Sequence, residues 1–226
     1  KDFSVVPMTT CFARGDIDDL INIGFKEIKI ASYDCASFKL IKELSKSFKC
    51  IYLSTGASYD EEIKLASKIL NTAQVDFYLL HCVTKYPTRL NDFNLNKMIW
   101  LKKYSNNTGL SDHSHVKTDG IIATKIAIFL GAKVIERHFT ILDEDKTKDG
   151  PVSITPDMLR KILEFSKLSH SDQELNLKED LPGWEDILLG NENRELSHEE
   201  LLNRDYYRGR FATPRVKNNH HSKVCL

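Results

Sequence analysis

The chain has 226 residues, enough for one large domain, or one domain and a small appendage, with a sizeable buried core. Lysine plus arginine equals aspartate plus glutamate at 32 each, so no global field favours nucleic acid or a membrane surface, and an anionic ligand has to be held by local groups. No run reaches the roughly eighteen apolar residues of a membrane span, because Gly120–Ile135 is interrupted by Lys125 and Lys133, and a soluble, cytoplasmic protein is expected.

In chain order, short segments rich in Val, Ile, Leu, Phe or Tyr predict strands at Phe3–Pro7, Glu27–Ser32, Cys50–Ser54, Phe77–Cys82, Gly109–Ser111 and Lys133–His138. Between and after them, apolar residues three and four apart predict amphipathic helices at Ala36–Phe48, Tyr59–Leu70, Leu95–Tyr104, Asp119–Leu130 and Thr155–Lys167. Ser58 with Glu61 matches a capping box, Thr155-Pro156 an N-cap followed by proline at the first helical position, and Gly131 a helix stop. This rhythm is a repeated βα unit. Phe77–Leu80 and Val134–Ile135 read as strands buried on both faces, which is the mark of a parallel sheet.

An open doubly wound sheet and a closed barrel both fit such a pattern, and two features favour the barrel. No GxGxxG or phosphate-binding loop marks a switch point, and polar residues gather at the C-terminal end of almost every strand, where barrel active sites sit. A TIM-type (β/α)₈ barrel needs eight strands. Six are visible, strands three to eight of such a barrel, so two units are expected to precede Lys1 in a longer protein. The expected division is a partial catalytic barrel over residues 1–168, a polar and acidic linker over 169–204, and the start of a small second domain with a basic tail over 205–226.

The five cysteines show no CxxC spacing and read as buried reduced thiols. Chemistry concentrates at Ser111-Asp112-His113 and Glu136-Arg137-His138, each ending a strand. Strand alternation puts Ser111 with His113 and Glu136 with His138. Two neutral imidazoles on neighbouring strands suit a divalent metal with several open positions, and equally suit two hydrogen-bonded mouth residues. His81 closes an apolar run and reads as a satisfied core histidine, His115 lies in a loop, and His220-His221 with Cys225 reads as tail. Lys29 and Ser32, with Thr10, would offer one cation and two hydroxyls to a phosphate and a carboxylate, provided the strand ends near Ala31. A rim lysine whose stem lies along apolar surface is the alternative for Lys29.

The ordered segments Lys29-Ile-Ala-Ser32, Leu53-Ser-Thr-Gly56, Leu80-His-Cys82 with Tyr86-Pro87, Leu110-Ser-Asp-His113, Ile135-Glu-Arg-His-Phe-Thr140 and Gly150-Pro151 resemble the motif string of the sialic acid synthase family. Tyr207-Arg-Gly-Arg-Phe211 resembles the entry to that family's C-terminal antifreeze-like (SAF) domain. The resemblance implies an enzyme that condenses phosphoenolpyruvate with an N-acylated amino sugar, giving a nonulosonic acid and phosphate. It implies a Mn²⁺ or Mg²⁺ cofactor held by His113 and His138, which would polarise the sugar carbonyl. Thr10, Lys29, Ser32 and Ser111 would hold phosphoenolpyruvate, and Tyr86 would face the amino sugar. Asp34 would correspond to the family's acid after Lys-x-x-Ser, positioning water or pairing with Lys29.

Thr84 occupies a substrate-binding position where the family usually has Asn, Tyr33 stands for Gly, and Val152 stands for an Asp that binds sugar hydroxyls. An acceptor other than N-acetylmannosamine follows, with Asp149 able to substitute only if its loop is re-registered. The family further implies a domain-swapped homodimer, in which Arg208 or Arg210 lies in the motif that reaches a partner's mouth. The chain without its first two strands is expected to be inactive. The alternatives are a barrel synthase adding phosphoenolpyruvate to an aldose phosphate, with Arg89 and Arg137 as candidate phosphate ligands, and a non-enzymatic carbohydrate-binding module.

Overall fold

A computed structural model describes residues 4–207. Lys1–Phe3, at the start of the first expected strand, and the antifreeze-like motif beyond Tyr207, with Arg208, Arg210, His220, His221 and Cys225, lie outside the described residues. The chain divides into two compact units, one formed by residues up to Leu79 together with those from Leu196 onward, the other by Leu80–Glu195. All strand pairs described below are parallel.

In the first unit, β1 (Thr9–Thr10), β2 (Glu27–Ile30) and β3 (Cys50–Ser54) pair in chain order, with Thr10 opposite Lys29 and Ile28 opposite Ile51. The first expected strand is thus displaced from Phe3–Pro7: Val5 and Val6 are exposed, and pairing begins only at Thr9. Helices α1 (Ile17–Ile23), α2 (Phe38–Ser47) and α3 (Asp60–Ala73) follow the three strands. Leu40, Ile41 and Leu44 of α2 and Ile63, Ala66 and Leu70 of α3 are fully buried at helical spacing, as are Ile28, Ile30, Ile51 and Leu53 of the strands. The cap of α3 falls one residue later than expected. Tyr59 N–H donates to Glu62 Oε2 at 2.9 Å, while Ser58 Oγ donates to the Gly56 carbonyl at 3.1 Å. Strand β4 (Asp76–Cys82) crosses the boundary between the units.

In the second unit, β5 (Thr108–Asp112), β6 (Val134–Phe139) and a short β7 (Ser153–Ile154) pair in order. The described residues therefore hold seven strands rather than six, β7 being too short to show in the apolar pattern. Every residue of β5 is buried, and Gly109 is required there because an added Cβ would stand 2.1 Å from the Val134 carbonyl oxygen. Helix α4 (Asn96–Leu101) precedes β5, α5 (Val116–Asp119) and α6 (Ile122–Phe129) connect it to β6, and Gly131, at φ +87°, ends that connection. Helix α7 (Pro156–Ser166) is capped by Thr155 as expected, its hydroxyl accepting from Met158 N–H at 3.4 Å.

The segment expected to be a linker is helical: α8 (His170–Asp180), a π-helical turn at Glu185–Leu189, and α9 (His198–Tyr207). Its polarity hides a narrow buried stripe. Leu177, Trp184 and Leu188 join Phe93, Leu110, Ile126 and Phe165 in the core of the second unit. Helix α9 belongs to the first unit. No helix among the described residues is long and apolar enough to cross a membrane. Cys11, Cys35 and Cys82 are buried and Cys50 is half-buried.

Candidate active site

Each unit carries one group of candidate side chains. In the first, the β1–β2 register sets Thr10 beside Lys29, which is 7% exposed and whose Nζ donates to the Ile30 carbonyl at 3.1 Å. Alternation would send Lys29 and Ser32 to opposite faces if the strand continued. It stops at Ile30, Ala31 is extended, and a 3₁₀ turn begins at Ser32, so the condition needed to use both residues is met. Ser32 and Asp34 are buried, and Asp34 Oδ1 accepts from Ser37 Oγ at 3.0 Å. Ser58 Oγ reaches the Ser32 carbonyl at 3.4 Å, tying the loop after β3 to the loop after β2. Ser54, in the Leu53-Ser-Thr-Gly56 segment, ends β3. It is 1% exposed, and its Oγ has no hydrogen-bond partner among the described residues. A buried hydroxyl left so is costly unless a ligand receives it.

The second group rests on the β5–β6 register, with Ser111 opposite Glu136 and Asp112 opposite Arg137. On one strand face Ser111 Oγ donates to Glu136 Oε1 at 2.6 Å, and the His113 and His138 rings stand 5.3 Å apart between centroids at 61°. Tyr86, half exposed, packs on His113 at 4.0 Å and edge-on to His138 at 6.0 Å. Nδ1 of His113 lies 3.8 Å from Cys82 Sγ, and Nδ1 of His138 lies 3.5 Å from Asp149 Oδ2. Thr84, in the loop after β4, is buried.

On the opposite, helix-facing side of the same strands lies a buried ion pair. Arg137 Nη1 meets Asp112 Oδ2 at 2.5 Å and Ser114 Oγ at 2.8 Å. Asp112 also accepts from Thr124 Oγ1 at 2.6 Å and from Ser114 N–H at 2.8 Å. Burial pushes the Asp112 carboxyl up, but Arg137 and these hydrogen bonds outweigh it and hold it below the usual aspartate value. Arg137 also lines a cavity of about 750 Å³ with Ile135, Phe139, Ile154 and Leu159, a space that includes neither His113 nor His138.

Residues 1–173 match the NeuB family. The chain belongs to the NeuB family. Among its relatives, the uncharacterized protein MJ1065 of Methanocaldococcus jannaschii is 35% identical over 178 residues, 76% of this chain and 51% of that protein. The N,N'-diacetyllegionaminic acid synthase of Campylobacter jejuni is 35% identical over 169 residues, 72% of this chain and 48% of that protein. The crystal structure of the spore coat polysaccharide biosynthesis protein SpsE from Bacillus subtilis is similar with a TM-score of 0.75 and 26% identity, over 90% of this chain and 56% of that one. The chain spans about half the length of the curated relatives it matches.

The βα units of this NeuB chain are those of a (β/α) barrel. Among the described residues no cluster of three or more His, Cys, Asp or Glu is gathered at metal-ligand geometry. Two histidines nevertheless suit one ion. Imidazoles sharing a metal through bonds of about 2.1 Å have centroids roughly 4.5 to 5.5 Å apart, and His113 and His138 fall in that range. Cys82 and Asp149 stand at the Nδ1 atoms as outer partners of ligating histidines do.

Other expectations meet the structure as follows. His81 is a core residue, its Nε2 donating to the Phe93 carbonyl at 2.6 Å. His115 caps α5, its Nδ1 accepting from Lys117 N–H at 3.1 Å. Arg137, considered as a phosphate ligand, is instead the partner of Asp112 on the other strand face. Val152 is 2% exposed and offers Arg137 only its carbonyl, at 3.4 Å, whereas the carboxylate of Asp149 stands beside His138.

Proposed function

We propose that the polypeptide containing this chain is a nonulosonic acid synthase that joins phosphoenolpyruvate to an N-acylated amino sugar. The observation that carries this reading is the His113–His138 pair under Tyr86 in a NeuB-family chain. His113 and His138 would hold Mn²⁺ or Mg²⁺, which when bound supplies Lewis-acid polarisation of the sugar carbonyl.

The chain's own residues bind and orient. Lys29 supplies the cation, and Thr10, Ser32 and Ser111 the hydroxyls, for the phosphate and carboxylate of phosphoenolpyruvate. C3 of phosphoenolpyruvate attacks the aldehyde carbon of the open-chain sugar, water adds at C2, and phosphate leaves with cleavage of its C–O bond. Asp34 positions that water. Tyr86 and Thr84 face the sugar. The burial of Val152 and the carboxylate of Asp149 near His138 support an acceptor other than N-acetylmannosamine, and the legionaminic acid relative favours a di-N-acetylated one. An aldose phosphate is the weaker reading, since Arg137 is committed to Asp112.

The full-length enzyme should release phosphate from phosphoenolpyruvate only with an amino-sugar acceptor and a divalent metal. His113→Ala should lower turnover by roughly 100-fold or more and abolish the bound Mn²⁺ signal in electron paramagnetic resonance. Full activity of that variant after EDTA treatment would sink the metal role. Equal turnover of N-acetylmannosamine and a di-N-acetylated sugar would refute the acceptor.

A further inference from the structure

Helix α9 reaches back over more than 140 positions to the loops that follow β2 and β3. Arg204 is 6% exposed, donates through Nη1 to the Ala57 carbonyl and through Nη2 to Glu62 Oε1 at 2.6 Å, and lies over the Tyr59 ring at 4.3 Å. One turn on, Tyr207 stacks on Tyr33 at 5.0 Å and 25°, between Ser32 and Asp34. The start of the helix is itself anchored, the fully buried Glu200 accepting from both the N–H and the hydroxyl of Ser197 at 3.1 Å.

The grip falls where the backbone is least able to hold itself. Ala57 has φ +48°, a left-handed conformation that a residue with a Cβ adopts only when its surroundings impose it. It follows Ser54, Thr55 and Gly56, all buried, and precedes Ser58, whose hydroxyl bonds the Gly56 and Ser32 carbonyls. A guanidinium spanning the Ala57 carbonyl and the Glu62 carboxylate fixes both ends of that turn, as one planar fork can and a point charge cannot.

We propose that α9 is a clamp that holds the loops after β2 and β3 in the form that receives phosphoenolpyruvate, with Arg204 as its positioning residue. This rests on the proposed function. Small anions are bound well only by donors already in place, because ordering a loop on binding subtracts from affinity. Arg204 acts through the backbone and touches no substrate.

The test uses the full chain and three probes: calorimetric binding of phosphoenolpyruvate, amide hydrogen exchange at residues 55–58, and Mn²⁺ binding. The double variant Arg204→Met with Glu62→Gln removes both charges and leaves no buried ion unpaired. It should weaken phosphoenolpyruvate binding by about tenfold or more and speed exchange at 55–58, with Mn²⁺ affinity unchanged. Arg204→Lys should fall between it and the wild type. Faster exchange with unaltered phosphoenolpyruvate affinity overturns the clamp and leaves α9 a packing element, and unaltered exchange overturns it too. A wild-type chain that binds no phosphoenolpyruvate would instead overturn the function on which the clamp rests.

Discussion

In the first unit, Thr10, Lys29 and Ser32 sit where strands of two and four residues give way to a 3₁₀ turn, and the adjoining loop after β3 is gripped by a helix from the far end of the chain. In the second, His113 follows a strand of five residues and His138 lies next to the end of one of six, and a buried ion pair joins those two strands on their other face. Loops held from outside can be retuned by substitution without disturbing a sheet. Strand ends locked by a buried charge pair cannot. The departures at Tyr33, Thr84 and Val152 all lie in turns or loops rather than in strands.

The contrast breaks most readily at Asp112. Asp112→Ala leaves the Arg137 guanidinium buried without its carboxylate, and breaking a buried pair in this way costs about 3 to 5 kcal/mol. Chemical denaturation should show a loss in that range. The double variant Asp112→Asn with Arg137→Met should recover most of it, because no isolated charge then remains. A loss below about 1 kcal/mol for the single variant would mean that the pair does not pin the register.

A smaller effect is expected at Cys82, which sharpens the comparison by leaving the strands alone. Its Sγ stands 3.8 Å from His113 Nδ1, so Cys82→Ala removes an orienting contact while His113 keeps its strand position. On the proposed metal reading, Mn²⁺ affinity should fall about tenfold, the low end for an outer partner, and Cys82→Ser should restore part of it. Unchanged affinity in both variants would assign the histidine orientation to β5 alone.

Much of this arrangement was legible from residue order, because a parallel sheet writes each strand as a local apolar run and each barrel mouth as the polar residues just after it. Alternation put Ser111 with His113 and Glu136 with His138, whereas Arg137, a candidate phosphate ligand on sequence grounds, pairs with Asp112 on the other strand face. Contacts distant in sequence left no such trace. Arg204 lies in an acidic, polar stretch whose local pattern says linker, and only the fold shows that it meets Ala57 and Glu62. Ser54 was hidden for a different reason: a serine at a strand end is common, and what distinguishes this one is burial without a partner.

The smallest predicted effect belongs to the first unit's own cross-strand contact. Tyr52 of β3 donates its hydroxyl to Glu27 Oε2 of β2 at 2.7 Å and stacks on Tyr78 at 4.9 Å. Tyr52→Phe keeps the stack and loses the hydrogen bond, for about 1 kcal/mol, the usual net value of one such bond. The pH dependence separates this from a packing defect. Burial, then the carboxylate of Glu27, then Cys50 push the Tyr52 hydroxyl above the ordinary tyrosine value of 10.0. Its folded form therefore stays protonated where the unfolded chain has begun to ionise. The contribution is complete below pH 10 and is lost as pH rises from there toward the folded value. Wild-type stability should fall more steeply than that of Tyr52→Phe above pH 10, with the two curves parallel below it. Parallel curves throughout would show that the hydroxyl is no better held in the folded unit than in the unfolded chain.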